Sequence, residues 1–211
     1  MTRRTDYSMP TNLLIAAIAA TSYLLGSIPF GYLLVRIFRG EDVRQSGSGN
    51  IGATNVARKS PLLGIATLLF DAMKGTAAVW MTYAIAPSYP LMSLAAFCAV
   101  LGHVFPLWLK FRGGKGVATG LGSFVLIAPK AVLIAVGIFV GVVVLFRYVS
   151  LGSMIAVAAF PLLVFRMHAY GGSPITLVLM SATSLLIVLK HHENIRRLLA
   201  GTESRLGAKR T

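Results

Sequence analysis

Long apolar runs with few charges are the feature that most constrains how this chain can fold. A helix needs roughly 17 to 25 mainly apolar residues to cross a bilayer. Such runs occur at about 12–36, 62–86, 91–109, 114–128, 130–147, 150–168 and 174–190. Because 56% of the residues are hydrophobic and only 12% are charged, the sequence predicts an all-α polytopic membrane protein. We expect a single domain with about seven transmembrane helices.

The fourth run is the weakest of the seven. It is short for a full span, and only Pro129 and Lys130 separate it from the fifth run. One long kinked helix at this point would leave six spans. The first run is longer than the apolar core of a secretory signal, so we expect it to be retained.

The positions of the basic residues predict the orientation. The formal net charge of +14 would also suit a nucleic-acid-binding protein. With seven spans, however, 15 Lys and Arg residues fall in the first, third and fifth connections and the tail, and 4 fall on the other side, at Arg3, Arg4, Lys130 and Arg166. Cytoplasmic connections carry this kind of excess. The N-terminus is therefore predicted to lie outside, the C-terminus in the cytoplasm, and no nucleic-acid partner is expected.

Three unusual polar motifs fall on the predicted cytoplasmic side. They are SGSGNIGATNVAR at 46–58, FRGGKGVATG at 111–120 and KHHENIRRLLAGTE at 190–203. The connections predicted to lie outside are short and turn-like. Three motifs on one face indicate one cytoplasmic site.

The first motif has the glycine spacing of a phosphate fingerprint. Gly47, Gly49 and Gly52 form G-x-G-x-x-G, but the strand that precedes such a motif in a dinucleotide-binding unit is missing. Glycines still let backbone N–H groups converge on an anion, and Arg58 adds a planar fork suited to phosphate. The alternative is a flexible surface turn. The predicted phosphate-binding residues are Ser48, Gly49, Asn50, Gly52, Thr54 and Asn55.

The second motif places a lysine among glycines. The segment Gly113, Gly114, Lys115, Gly116 lacks both the earlier glycine and the following Ser or Thr of an ATP-binding P-loop. Lys115 nevertheless precedes a predicted helix start, where N–H groups and the helix dipole attract anions. We predict a second phosphate-binding element here. The alternative is a glycine turn with a positive membrane-surface anchor.

The third motif predicts an amphipathic helix at the membrane interface, with Ile195, Leu198 and Leu199 opposite basic residues. His191 and Asn194 are three residues apart and share one face, so they can point together into a site. The alternative is that this segment is only an anchor. A metal site would need more ligands than the sequence offers nearby, and neither a metal nor a cofactor is predicted.

Charged and polar residues also occur at predicted membrane depth. Asp71 and Lys74 lie one helical turn apart in the second run, where a lone charge costs roughly 2.5 to 3.5 kcal/mol. They must pair or face the bundle, either as a structural ion pair or in a substrate role. His103 is more consistent with packing than with the site.

Together these motifs resemble the bacterial glycerol-3-phosphate acyltransferases that use acyl phosphate, the PlsY family. The segments that carry the resemblance, in family order, are GSIPFGY, DVRQSGSGNIGATNVAR, FDAMKG, LGHVFPLWLKFRGGKGVATGLG and HHENIRRLLAGTE. Residues 1–10, a polar extension, depart from the family pattern. The resemblance implies a seven-helix bacterial inner-membrane enzyme that makes 1-acyl-glycerol-3-phosphate and phosphate, the first acylation of phospholipid synthesis. Its implied partners are acyl phosphate, glycerol 3-phosphate and membrane lipids, and we expect a functional monomer.

The resemblance also implies roles for the site residues. The two glycine-rich segments would surround phosphate groups, and Arg58 and Lys115 would supply positive charge. His191 and Asn194 would hold glycerol 3-phosphate, with Asp71, Lys74, His103 and Glu203 in support. No G-x-S-x-G elbow is present, so direct attack on acyl phosphate is predicted. The proton would pass to a substrate phosphate oxygen or to His191.

A transporter for an anionic solute is the main alternative from another functional class. Transporters often have internal repeats and broken helices at the bilayer midplane. No repeated half is visible here, and the unusual residues gather on one face instead of at mid-depth.

Overall fold

The computed structural model of the protein describes residues 11–207, which fold into helices and connections without a strand in that range. The predicted polar extension at residues 1–10 and residues 208–211 of the predicted tail lie outside the described range. The helices are α1 (Thr11–Gly26), α2 (Phe30–Arg39), α3 (Ala53–Ala57), α4 (Pro61–Ile85), α5 (Tyr89–Val104), α6 (Val117–Phe124), α7 (Pro129–Phe146), α8 (Val149–Arg166), α9 (Pro174–Leu189) and α10 (His192–Leu199).

The predicted class, an all-α membrane protein, is confirmed at the level of five or six candidate spans. Within residues 11–207, five segments are long and apolar enough to cross a membrane, namely Thr11–Arg39, Pro61–Ile85, Tyr89–Leu109, Pro129–Phe146 and Val149–Arg166. Helices α9 and α10 meet the same criteria together but are bent by 50° relative to each other. The predicted count of seven stays a prediction.

The first apolar run, predicted as one helix over 12–36, is broken into α1 and α2. Pro29 stands at the N-cap of α2, and a proline has no N–H group and disfavours helical geometry in the residue before it. The break therefore follows from the sequence GSIP. Helix α1 packs closely against α5, since a Cβ added to Gly26 would lie 2.0 Å from the Ala99 carbonyl oxygen of α5.

The fourth run forms a helix much shorter than the predicted 114–128. Helix α6 has 8 residues and ends at Phe124, and Pro129 then starts α7 as a separate helix. Helix α6 packs closely against α4: Thr76 Oγ1 donates to the Gly122 carbonyl oxygen at 2.8 Å. A Cβ on Gly75 would lie only 2.2 Å from the Thr119 carbonyl oxygen. Small residues thus let α6 sit inside the bundle.

The apolar core lies away from the three polar motifs. Its buried residues come from α1, α4, α5, α6, α7, α8 and α9 and from the segment that joins α6 to α7, and they include Val79, Phe124, Phe160 and Met180. A smaller buried cluster of Val100, Val104 and Ile187 joins α5 to α9. A Cβ on Gly116 would lie 2.8 Å from Val100 Cγ1, so this smaller cluster supports the glycine turn before α6.

Candidate active site

The first polar loop, between α2 and α4, is organised by the buried side chain of Asn55. Its amide nitrogen donates to the carbonyl oxygens of Val43, Ser46 and Asn50 at 3.2, 3.0 and 2.8 Å. Its Oδ1 atom accepts from the Ser48 N–H at 2.9 Å. The amide hydrogens of Asn55 are therefore used inside the loop. This geometry does not support the predicted direct contact between Asn55 and phosphate; the residue instead shapes the loop.

The loop glycines also differ from the predicted open anion cradle. Gly47 and Gly49 have φ values of +62° and +69°, which few residues other than glycine adopt. The Gly49 N–H, however, donates to the Ser46 carbonyl oxygen at 3.0 Å, and the Gly52 N–H donates to Asn50 Oδ1 at 2.8 Å. These N–H groups are engaged within the loop. The Ser48 side chain is half-buried, and those of Thr54 and Arg58 are exposed.

The glycine turn before α6 folds back onto the end of α5. The Gly113 N–H donates to the Val104 carbonyl oxygen at 3.2 Å, and the Gly114 N–H donates to the His103 carbonyl oxygen at 3.0 Å. A Cβ on Gly114 would lie 2.0 Å from His103 Nε2. The predicted use of both N–H groups for phosphate is not supported, because both bond to carbonyl oxygens at the end of α5.

The start of α6 retains anion-binding capacity beside Lys115. The first hydrogen bond of α6 runs from the Gly120 N–H to the Gly116 carbonyl oxygen at 2.8 Å, and N–H groups earlier in a helix have no partner within it. Gly116, with φ +88°, directs the chain into this helix. Lys115 and the first turn of α6 therefore present positive charge and helix dipole together.

Lys115 contacts the tail directly. Its Nζ atom donates to Asn194 Oδ1 at 2.5 Å, and the Asn194 Nδ2 atom donates to Glu203 Oε1 at 2.6 Å. Both Asn194 and His191 are buried, whereas His192 between them is exposed. Both members of the predicted pair, His191 and Asn194, are thus buried, and their joint role in a site stays a prediction.

Glu203 joins several elements at this point. Besides Asn194, it accepts hydrogen bonds from Ser150 Oγ at the start of α8 and from Arg197 Nε, each at 2.6 Å. Burial raises the pKa of Glu203, but the hydrogen bonds from Ser150, Arg197 and Asn194 outweigh this effect and lower it overall. Glu203 is therefore a carboxylate at neutral pH and fixes the Asn194 amide.

The charge of Lys115 is sensitive to its surroundings. Burial, together with the positive charges of Arg197 and Arg58, lowers the pKa of Lys115 to about 8, while Glu203 and Glu193 oppose the shift. The influence of Arg58 puts the first loop within electrostatic range of the glycine turn. Hydrogen bonds thus connect Lys115, Asn194, Glu203 and Arg197, and Arg58 acts on Lys115 electrostatically. That the three motifs form one functional site stays a prediction.

His191 lies past the last apolar helix, and the hydrogen bond at its Nδ1 atom fixes its tautomer. That atom is 2.7 Å from the Ile187 carbonyl oxygen; because a carbonyl only accepts, Nδ1 carries the hydrogen. Burial is the main reason that the pKa of His191 falls to about 4. The ring is therefore neutral, with Nε2 as a hydrogen-bond acceptor.

Asp71, Lys74 and His103 form a separate buried cluster next to the site. Lys74 Nζ lies 2.9 Å from Asp71 Oδ1 and donates to the Ile28 carbonyl oxygen at 2.7 Å, within the break between α1 and α2. His103 Nδ1 is 3.5 Å from the same Asp71 oxygen. The contacts favour the structural interpretation, in which this cluster joins the helix break to the glycine turn.

Sequence reasoning missed Ser150 and Arg197 as parts of the site. Arg197 could have been found, because it follows Asn194 by three residues and therefore lies on the same helix face. Ser150 gives no such signal, since only the fold brings the start of α8 next to Glu203.

Comparison with known proteins identifies the relatives of this chain. Residues 16–201 match the family model described as glycerol-3-phosphate acyltransferase. A glycerol-3-phosphate acyltransferase from Trichlorobacter lovleyi is 46% identical over 90% of this chain and 96% of its own length. Another from Agrobacterium fabrum is 45% identical over 99% of this chain and 100% of its own length.

Solved structures agree with these sequence matches. The crystal structure of PlsY (YgiH), an integral membrane glycerol 3-phosphate acyltransferase, in its glycerol 3-phosphate form superimposes with a TM-score of 0.85. It is 35% identical and covers 92% of this chain and 96% of that chain. The lysophosphatidic acid form of the same protein gives a TM-score of 0.81 at 34% identity, over 92% of this chain and 95% of that chain.

Proposed function

This chain belongs to the glycerol-3-phosphate acyltransferase family, and we propose that it transfers a fatty acyl group from acyl phosphate to the 1-hydroxyl of glycerol 3-phosphate. The enzyme is an acyltransferase that acylates glycerol 3-phosphate in phospholipid synthesis. The products of the proposed reaction are 1-acyl-glycerol-3-phosphate and inorganic phosphate. The observation that carries the proposal is the joint site made by Lys115, Asn194 and Glu203.

The cations of this site suit two phosphate-bearing substrates. Lys115 Nζ carries three N–H donors, and its bond to Asn194 leaves others for a phosphate oxygen. Arg58 supplies a planar fork for bidentate contact with phosphate. We assign Ser48 and Thr54 as hydroxyl donors from the first loop, and the N-terminal turn of α6 as a source of backbone N–H groups.

The acceptor hydroxyl fits the buried face of the tail. In the free protein His191 Nε2 can accept a hydrogen bond, because Nδ1 is bonded to Ile187. Glu203 anchors the Asn194 amide nitrogen, so the Asn194 oxygen faces Lys115. We propose that these two residues orient glycerol 3-phosphate with its 1-hydroxyl next to the acyl carbonyl carbon.

The chemistry then requires a single displacement. The hydroxyl oxygen forms a bond to the acyl carbon, and the bond from that carbon to the phosphate oxygen breaks. A pKa of about 4 makes His191 a weak base in the free protein. This value favours a substrate phosphate oxygen as the final proton acceptor, with His191 orienting the hydroxyl. No covalent acyl-enzyme is needed, because acyl phosphate is already activated.

An acyl phosphate donor is also consistent with the sequence. None of His103, His168, His191 and His192 is followed five residues later by Asp, which is the H-x-x-x-x-D spacing of unrelated glycerolipid acyltransferases. We also propose that the protein is functional as a monomer.

Seven crossings with the site in the cytoplasm agree best with these contacts. Three long apolar helices, α7, α8 and α9, separate Lys115 from Asn194 in sequence, yet the two side chains touch. If only these three helices crossed the membrane between the two residues, Lys115 and Asn194 would lie on opposite sides. We therefore propose that the short α6, packed inside the bundle, carries the chain across as a further crossing. We also propose, from the distribution of Lys and Arg, that the N-terminus lies outside and that the protein is a bacterial inner-membrane enzyme.

One experiment distinguishes the enzyme hypothesis from the transporter hypothesis. Protein purified in detergent has no compartments to transport between, so only an enzyme produces lysophosphatidate from palmitoyl phosphate and glycerol 3-phosphate. We expect product and phosphate in equal amounts. No product from folded protein would contradict the proposed function.

A further inference from the structure

The segment that follows α10 is fastened to the connection between α7 and α8. The Leu206 N–H donates to the Arg147 carbonyl oxygen at 2.6 Å, and Arg147 Nη2 donates to the Leu206 carbonyl oxygen at 2.9 Å. One residue therefore holds both backbone groups of Leu206. Arg147 does so from a left-handed conformation with φ +63°, which is uncommon for a residue other than glycine.

A second pair of side chains reinforces this attachment. The Arg205 guanidinium lies 5.4 Å from the centroid of the Tyr148 ring, and Arg205 Nε donates to the Tyr148 hydroxyl at 3.1 Å. We call Arg147, Tyr148, Arg205 and Leu206 the C-terminal clasp. Both side-chain hydrogen bonds of the clasp are exposed. Exposed polar contacts add little to the stability of a whole domain, so folding alone gives a weak reason for the clasp.

The clasp lies close in sequence to Glu203, which accepts several hydrogen bonds in the site. Glu203 precedes Arg205 by two residues and accepts hydrogen bonds from Ser150, Asn194 and Arg197. Because Glu203 holds the Asn194 amide nitrogen, the position of its carboxylate decides which way the Asn194 oxygen points. That oxygen contacts Lys115 at 2.5 Å. The clasp therefore restrains the last segment of chain on which the orientation of Asn194 depends.

We propose that the C-terminal clasp is a positioning device for the acceptor half of the site, which keeps Glu203 in place so that Asn194 faces Lys115. This inference rests on the proposed function and deepens it. Arg147, Tyr148, Arg205 and Leu206 act only through Glu203. Loosening the clasp therefore weakens binding of glycerol 3-phosphate and leaves the acyl donor largely unaffected.

Loosening the clasp also has an electrostatic consequence. The charged and titratable groups that act on Lys115 or lie beside it are Arg58, His191, Glu193, Arg197 and Glu203. Glu203 raises the pKa of Lys115, against the lowering by burial, Arg197 and Arg58. When Glu203 moves away, the Lys115 pKa falls further. The alkaline decline of kcat/KM then begins at a lower pH, a change that a purely structural role of the clasp does not produce.

The test compares purified parent enzyme with two variants of the clasp. Arg147→Ala/Arg205→Ala removes both side-chain hydrogen bonds, and deletion of residues 205–211 removes one side of the clasp but keeps Glu203. The loss of two hydrogen bonds should raise the KM for glycerol 3-phosphate about tenfold, with the KM for palmitoyl phosphate within about twofold of the parent. Arg147→Ala/Arg205→Lys, which keeps a cation over Tyr148, should recover part of the loss seen in the double alanine variant. Arg166→Ala, at an exposed arginine at the other end of α8, controls for the removal of an exposed arginine that lies outside the clasp.

The outcomes separate the clasp from the proposed function. A selective rise in the KM for glycerol 3-phosphate, with the alkaline limb at lower pH, supports the clasp. Equal changes in both KM values would overturn it, and so would kinetics like those of the parent. It would also be overturned if the lysine variant restored neither the KM for glycerol 3-phosphate nor the pH at which kcat/KM declines. Variants that fail to purify as folded protein would also overturn it, because the clasp would then be needed for folding. Parent enzyme without lysophosphatidate formation would contradict the proposed function itself.

Discussion

Lys115 Nζ lies 2.5 Å from Asn194 Oδ1, although the two residues are 79 positions apart in the chain. This contact joins the glycine turn before α6 to the buried face of the tail. It brings a cation together with a residue that we assign to the acceptor hydroxyl. The main predictions depend on this contact between two motifs that are distant in sequence.

The pH dependence of catalysis should report the charge on Lys115. The ammonium form binds phosphate, and its lowered pKa of about 8 means that the charge is lost as pH rises through that value. We expect kcat/KM for glycerol 3-phosphate to fall above about pH 8. Lys115→Arg, whose guanidinium stays charged up to about pH 12, should remove this decline even if its maximum is lower. An unchanged alkaline limb in Lys115→Arg would contradict the assignment.

The tail residues should differ according to the face they occupy. His191→Ala and Asn194→Ala should each lower kcat/KM for glycerol 3-phosphate by about 10 to 150-fold, since one charge-assisted hydrogen bond contributes roughly 1.5 to 3 kcal/mol. His192→Ala is the matched control, because this neighbouring histidine is exposed and should stay within about twofold of the parent. Initial rates at matched expression make the comparison. If all three variants resemble the parent, the tail is only an interfacial anchor.

Gly114 should be intolerant of a side chain. In Gly114→Ala the new methyl carbon would lie only 2.0 Å from Nε2 of the buried His103, and such overpacking costs about 1 to 3 kcal/mol. We expect lower activity and a lower Tm in detergent. Gly137→Ala on α7 is the control, because an added Cβ there meets nothing within 4 Å. Equal behaviour of the two variants would show that the turn does not depend on close packing against His103.

Topology can be tested by cysteine labelling in a Cys98→Ala background. Thr54 is exposed in the first loop and Pro87 is exposed in the connection between α4 and α5. Thr54→Cys should react with an impermeant thiol reagent only in inverted vesicles, and Pro87→Cys should react in intact cells. The reverse pattern would overturn the cytoplasmic location of the site.

The sequence predicts the helical architecture well where apolar runs are long and uninterrupted. It also predicts the inward face of the tail, because the spacing of His191 and Asn194 on a helix is geometric. The break before Pro29 could have been foreseen from the proline, whereas the position of α6 against α4 involves close packing of Gly75 and Gly122 against neighbouring backbone. Packing partners of this kind are distant in sequence and leave no local pattern.

The glycine-rich motifs show a different limit of sequence reasoning. Glycine spacing correctly indicates backbone with unusual conformations, such as Gly47 and Gly49. It does not reveal where the N–H groups point, and those of Gly49, Gly52, Gly113 and Gly114 bond within the protein. Asn55 likewise has the right chemistry for phosphate, but burial and four bonds within its own loop give it a structural role.

The choice of acyl donor tests the central claim most directly. Purified enzyme should be given labelled glycerol 3-phosphate with either palmitoyl phosphate or palmitoyl-CoA, without magnesium or ATP. We predict rapid formation of lysophosphatidate with one phosphate released per product from palmitoyl phosphate, and little product from palmitoyl-CoA. A similar initial rate with palmitoyl-CoA would contradict the account.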